Sequence, residues 1–151
     1  MKVNIKGYPD PDSVAYKLGI YTQQKVDVKI DKWDTYSLDE TLAHIIHPAL
    51  VQLRQKSKSY PGDKDISLET LEYDTDEERW DWILGEMIFA FKSKLYDWGE
   101  EFTSGELDFN DQFVKGPNHT FEIDSAGMKK HQSRINNGFR LFGKYYEHLW
   151  D

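Results

Sequence analysis

Three groups of side chains stand out for the reactions or ligands their spacing would support. The first is His44 and His47. On a helix, His-x-x-His brings two imidazoles within reach of one metal ion, and Glu86 or Asp39 would supply a carboxylate. The second is a run of acids, Asp76, Glu77, Glu78, Asp81 and Glu86. Carboxylates one helical turn apart can hold magnesium beside a phosphate chain, which is the chemistry of metal-dependent nucleotide hydrolysis. The third is the basic, aromatic C-terminal segment. Arg134, Arg140 and Lys144 offer phosphate contacts there, and Phe139, Tyr145, Tyr146 and Trp150 offer rings on which a base stacks.

Each group has a plainer reading. No His-Glu-x-x-His motif is present and Pro48 disturbs the local helix, so surface or packing histidines are preferred to a metal site. The acids do not reproduce the paired Glu-x-x-Glu and Glu-x-x-Asp elements of all-helical nucleotide pyrophosphohydrolases. Acids in the first turn of a helix complement its positive N-terminal dipole, and that explanation is preferred. The C-terminal cations would pair with the acidic helix while the rings fill the core. This reading is only narrowly ahead, so Arg134, Arg140, Lys144, Phe139, Tyr145 and Tyr146 stand as the candidate ligand site. Trp33, Trp80 and Trp82, near helix starts, are expected to anchor packing. No Gly-x-x-x-x-Gly-Lys loop, Gly-x-Ser-x-Gly elbow or calcium loop occurs. No catalytic residue is assigned, no cofactor is expected, and an enzyme is the less favoured class.

Composition narrows the choice further. At 151 residues the chain has the size of one domain and can bury a core without staples. Its 15% aromatic content excludes intrinsic disorder. The absence of cysteine removes disulfides, thiolate metal sites and thiol nucleophiles, and suits a reducing cytoplasm. No apolar run approaches the ~18 residues of a membrane span, and MKVNIKGY lacks the apolar core of a signal peptide. The formal charge of −8 opposes generic duplex-DNA binding. That charge is uneven: residues 61–111 are rich in Asp and Glu, whereas 126–146 carry Lys129, Lys130, Arg134, Arg140 and Lys144 with no acid.

Periodicity places these groups on elements. Val3 and Ile5, then Val26, Val28 and Ile30, alternate with polar residues as half-buried strands do. Between them YPDPD reads as a turn and SVAYKLG as a helical turn closed by Gly19. Ser37 and Glu40 form a capping box that opens a helix to about Ser57, with a kink or break expected at His44–His47 because of Pro48. Residues 58–74 read as a surface connection. Thr75 and Glu78 form a second capping box for a helix to about Phe102, with a core stripe of Ile83, Met87, Ala90, Phe91, Leu95 and Trp98. Trp82 and Phe89 point elsewhere and Glu86 lies between the faces. A loop follows, then a short strand in His119–Asp124 that would join the N-terminal pair. In the last helix Met128, His131, Ile135, Gly138, Phe142, Tyr145 and Leu149 form a seam for a neighbouring helix. Gly138 and Gly143 suggest close approach of another backbone or of a ligand, with close helix packing preferred.

Three segments carry a family resemblance: WDTYSLDETLAHIIHPALVQL at 33–53, RWDWILGEMIFAF at 79–91 and NNGFRLFGKYYEHLWD at 136–151. They cover about a third of the chain, and it resembles a family of uncharacterised tailed-bacteriophage proteins. The resemblance implies a phage origin and an accessory role in the host cytoplasm, with no catalytic residues. The expected fold is mainly α with a minor β element (α+β), with three long helices packed as a bundle plus a small N-terminal sheet in one domain. The expected function is binding of a host protein or host-derived ligand during infection, for host takeover or evasion of host defence. Sequestration of a phosphorylated nucleotide or other phosphorylated small molecule is its specific version. A metal-dependent hydrolase using His44, His47 and carboxylates such as Glu86, or a homo-oligomeric structural protein, are the alternatives.

Overall fold

Thr75 and Glu78 form the expected capping box: the Thr75 hydroxyl accepts from the Glu78 amide at 3.2 Å and the Glu78 carboxylate accepts from the Thr75 amide at 3.3 Å. These bonds satisfy amides that a helix start leaves open. In the computed structural model, which describes residues 1–5, 14–19, 26–57, 59–61, 72–110 and 114–150, they open the helix around which the core is built. The chain divides into two compact units, Met1–Thr41 and Leu42–Asp151.

In the first unit, strands β1 (Lys2–Ile5) and β2 (Val26–Lys29) pair antiparallel, Val3 opposite Val28. The expected alternation forms the ladder, but only Val3 is even partly covered, and Ile5, Val26 and Val28 are exposed. A short helix, α1 (Val14–Lys17), is followed by Gly19 at φ 71°, the left-handed closure expected there. The YPDPD turn lies outside the described residues, as does most of the 58–74 connection.

Three long helices follow the expected order, α2 (Leu38–Lys56), α3 (Asp76–Lys92) and α4 (Ser125–Lys144). The fold is therefore mainly α with a minor β element. Helix α2 is not broken at Pro48; it runs through, with the ring on the exposed side. The lost amide removes one hydrogen bond, and burial of Ala43 before it and Leu50 after it holds both turns on the core.

Helix α3 ends ten residues before the expected Phe102. The Ser93 hydroxyl and amide both donate to the Phe89 carbonyl, at 2.9 and 3.0 Å, and 3-10 bonds from Lys94 and Leu95 tighten the exit. Asp97 then caps a separate 3-10 turn, Trp98–Phe102, through the Gly99 amide. Ser93 and Asp97 supply these side-chain stops, which an apolar stripe does not register.

The expected strand before the last helix is β4 (Glu122–Ile123). It pairs with β3 (Thr103–Ser104) and not with β1 or β2. Gly105, at φ 81°, follows β3 and lies so close to the Thr120 carbonyl that a Cβ would overlap it. Asp124 caps α4 by accepting from the Gly127 amide at 2.8 Å.

Ile83, Leu84, Met87 and Phe91 of α3 form one core cluster with Leu141 of α4 and Tyr145 beyond its end, and Ala90 and Ile135 are buried on the same two helices. Ala43 and Leu50 of α2 join the same core. Burial of each large side chain contributes roughly 1.5–3 kcal/mol. Phe91 takes edge contacts from Phe139 and Phe142, and His131 stacks on Trp98 with ring centroids 4.5 Å apart. Among the described residues no helix is long and apolar enough to cross a membrane.

Candidate ligand-binding groove

Helix α3 places two carboxylates, Asp81 and Glu86, on either side of Gly85, and each holds an arginine from a different helix. Arg54, in the last turn of α2, donates from Nε and Nη2 to Asp81 at 2.7 and 2.5 Å. Arg134 of α4 donates from Nε and Nη2 to Glu86 Oε1 at 3.0 and 2.7 Å, and lies 3.8 Å from the Phe89 ring centroid. Gly85 makes room for the first pair, since a Cβ there would meet Arg54 Nη1 at 3.2 Å. Glu86 is buried while Arg134 keeps half its side chain in water, 7% against 52% exposed. Mutual hydrogen bonding raises the affinity of Arg54 for its proton and holds the Asp81 carboxyl below the ordinary carboxylate range.

Both pairs line one groove of about 710 Å3 in the second unit. Glu77 and Glu78 from the first turn of α3 also line it, together with the rings of Tyr60, Tyr73, Trp80 and Trp82. Trp80 is core, in edge contact with Tyr145, whereas Trp82 is half-buried and presents to the groove. The volume is in the range of small-molecule sites, but the lining is predominantly polar, with four rings set among four carboxylates and two arginines. No histidine lines it among the described residues, and the hydroxyl of Ser57 donates to the Ser59 carbonyl at 2.8 Å. Among the described residues of the lining, neither serine therefore has a histidine base of the kind that makes a hydroxyl nucleophilic.

The six residues marked in the C-terminal segment do not gather at one surface. Arg134 reaches the groove. Tyr145 is 1% exposed and packed on Trp80, and Phe139 packs on Phe91. Tyr145 has no open face for a base, and Phe139 is partly covered. Arg140 donates to Asn137 at 3.0 Å, Lys144 lies over the Tyr145 ring and Tyr146 is exposed beside Phe142. Of the rings expected to stack a ligand, Tyr145, which also belongs to the apolar seam, is buried and Phe139 packs on Phe91, while Tyr146 and Trp150 are exposed. Of the metal candidates, Glu86 is engaged by Arg134, His44 is exposed and His47 partly so on α2. Among the described residues no group of three or more histidines and acids could hold a metal ion. Trp33, expected to anchor packing, is 70% exposed.

Sequence reasoning missed Arg54, Gly85, Tyr60 and Tyr73. They come from three separate stretches, and no local pattern announces that they meet. The one usable signal was Gly85 inside an otherwise good helix former, since an interior glycine costs about 1 kcal/mol relative to alanine and marks a close neighbour.

Comparison with protein-family models, curated proteins and solved structures found no match to this chain.

Proposed function

We propose that this protein is a non-enzymatic accessory protein of a tailed phage that binds a host-derived small molecule in the groove between Arg54 and Arg134. The observation that carries the reading is the groove itself, with ring-bearing walls and two arginines fixed by bidentate carboxylate contacts. Side chains held this way are pre-organised, so a ligand orders little on entry. Among the described residues no histidine lines the groove beside its serines, which favours holding over reacting. The phage setting, the host cytoplasm as its place of action and a part in host takeover or defence evasion rest on the resemblance of the three segments.

Native mass spectrometry after equilibration with a bacterial metabolite extract tests the proposal. The expected result is a discrete small-molecule adduct that is lost when Gly85→Trp fills the groove and is retained in Gly143→Ala. No adduct on the wild-type chain, or one that survives in a folded Gly85→Trp protein, overturns it.

A further inference from the structure

We infer that the outer edge of β2 is a self-association surface, on which a second copy of this chain pairs its own β2 antiparallel about a two-fold axis at Val28. The surface lies in the first unit and stands independently of the groove. All four residues of β2 and the following Ile30 are exposed. Among the described residues β2 has one strand neighbour, β1, so its other edge presents unpaired backbone groups. A two-stranded hairpin is marginal alone, and a second copy paired there completes a four-stranded sheet.

The charges on β2 select both partner and register. Asp27 and Lys29 flank Val28, and neither is in an ion pair among the described residues. Lys29 instead stands opposite Lys2 of β1, and like charges directly opposite each other are unfavourable. In an antiparallel pair centred on Val28, Asp27 falls opposite Lys29 of the second copy and Lys29 opposite its Asp27. Val26 falls opposite Ile30, and Val28 opposite Val28. Both charge pairs are attractive, and the apolar residues of the two copies share one face. Centring the pair on Asp27 or on Lys29 sets that charge against its own copy, and a one-residue slip sets valines against charges. An in-register parallel pair stacks like charge on like charge. The strand β1 carries Lys2 and no acid, so its edge has no such complementarity. Five paired residues form a seam of about 17 Å, shorter than a stable interface needs, so the dimer is weak and concentration-dependent.

Sedimentation of the full chain across a concentration series, at a physiological salt that screens its net charge of −8, tests this together with single-cysteine crosslinking. A mass rising from one chain toward two is expected. Lys29→Asp and Asp27→Lys should each weaken association at least about tenfold, since each reverses one member of both symmetric pairs. The doubly substituted chain, or a mixture of the two single variants, should recover it. Because the chain has no cysteine, Val28→Cys should give a disulfide-linked dimer on mild oxidation, with the two Cα atoms about 4.5–5.5 Å apart. Val26→Cys should not, since about 14 Å separates that position from its own copy. These positions are exposed, so circular dichroism should show the wild-type fold in every variant. A monomeric mass at every concentration up to about 1 mM overturns the inference. So does a dimer that both charge reversals leave intact, or equal crosslinking through Val26→Cys and Val28→Cys.

Discussion

Gly138 of α4 and Glu86 of α3 meet backbone to backbone: a Cβ on Gly138 would lie 2.3 Å from the Glu86 carbonyl oxygen and 2.5 Å from the Ala90 Cβ. One turn earlier on α4, Arg134 takes the Glu86 side chain. The close helix crossing and the ion pair that walls the groove are therefore set at the same place. Gly138→Ala must push the helices apart, and overpacking of this kind costs about 1–3 kcal/mol, more than the ~1 kcal/mol that alanine gains in helix propensity. Gly143 has open space where a Cβ would go. Both glycines were expected to mark close approach, and only Gly138 does. Gly143→Ala should stabilise by about 0.5 kcal/mol, so urea unfolding of the two variants should move in opposite directions. Equal shifts would contradict the crossing.

The two ends of the Glu86–Arg134 pair should not be equivalent. Glu86 is buried and Arg134 half exposed. Arg134→Ala leaves a carboxylate in the protein interior without its cation, a loss of about 2–3 kcal/mol. Glu86→Gln leaves the guanidinium access to water and an amide oxygen to donate to, so about 1 kcal/mol is expected. Chemical denaturation of both variants measures the difference, and a larger loss from Glu86→Gln would mean the burial is misassigned.

The legibility of the sequence followed the range over which each feature is decided. The Thr75 capping box is a matter of four adjacent residues and formed as read. The stripe Ile83, Met87, Ala90 and Phe91 is set by helical period, and all four are buried. Where α3 stops was not legible, because Ser93 and the 3-10 bonds that follow it act against a continuing apolar pattern. Strand partners were not legible either. His119–Asp124 marks a short strand, yet only the tertiary path from α3 brings Thr103 beside Ile123. The groove was least visible of all. Its arginines pair with carboxylates 27 and 48 residues away in sequence, so charge asymmetry pointed to pairing without naming the partners.

Three tryptophans near helix starts looked alike in sequence and have three different environments. Trp80 is 4% exposed and in edge contact with Tyr145 at 5.6 Å, while Trp33 is 70% exposed. Trp80→Ala should cost about 3–5 kcal/mol and Trp33→Ala less than about 0.5 kcal/mol. Thermal melts followed by circular dichroism would show a large fall in midpoint for the first and almost none for the second. A comparable fall for Trp33→Ala would mean that this ring is covered in solution.

Acid should release the Arg54–Asp81 pair only well below the neutral range. The Asp81 carboxyl is held below its ordinary range chiefly by hydrogen bonds from Arg54. The folded chain consequently binds fewer protons at this site than the unfolded chain as the pH falls through the carboxylate range. The contribution of the pair is present above the unfolded value, declines below it and is gone once the pH has passed the lowered folded value. Asp81→Asn removes the titrating group. Wild type should be the more stable by at most about 1 kcal/mol near pH 7, since both side chains are partly exposed, and the two stability curves should converge in acid. Urea midpoints measured across the acid limb test the sign directly: divergence on acidification would mean that Asp81 is protonated more readily in the folded chain, and the arginine could not then be holding its charge.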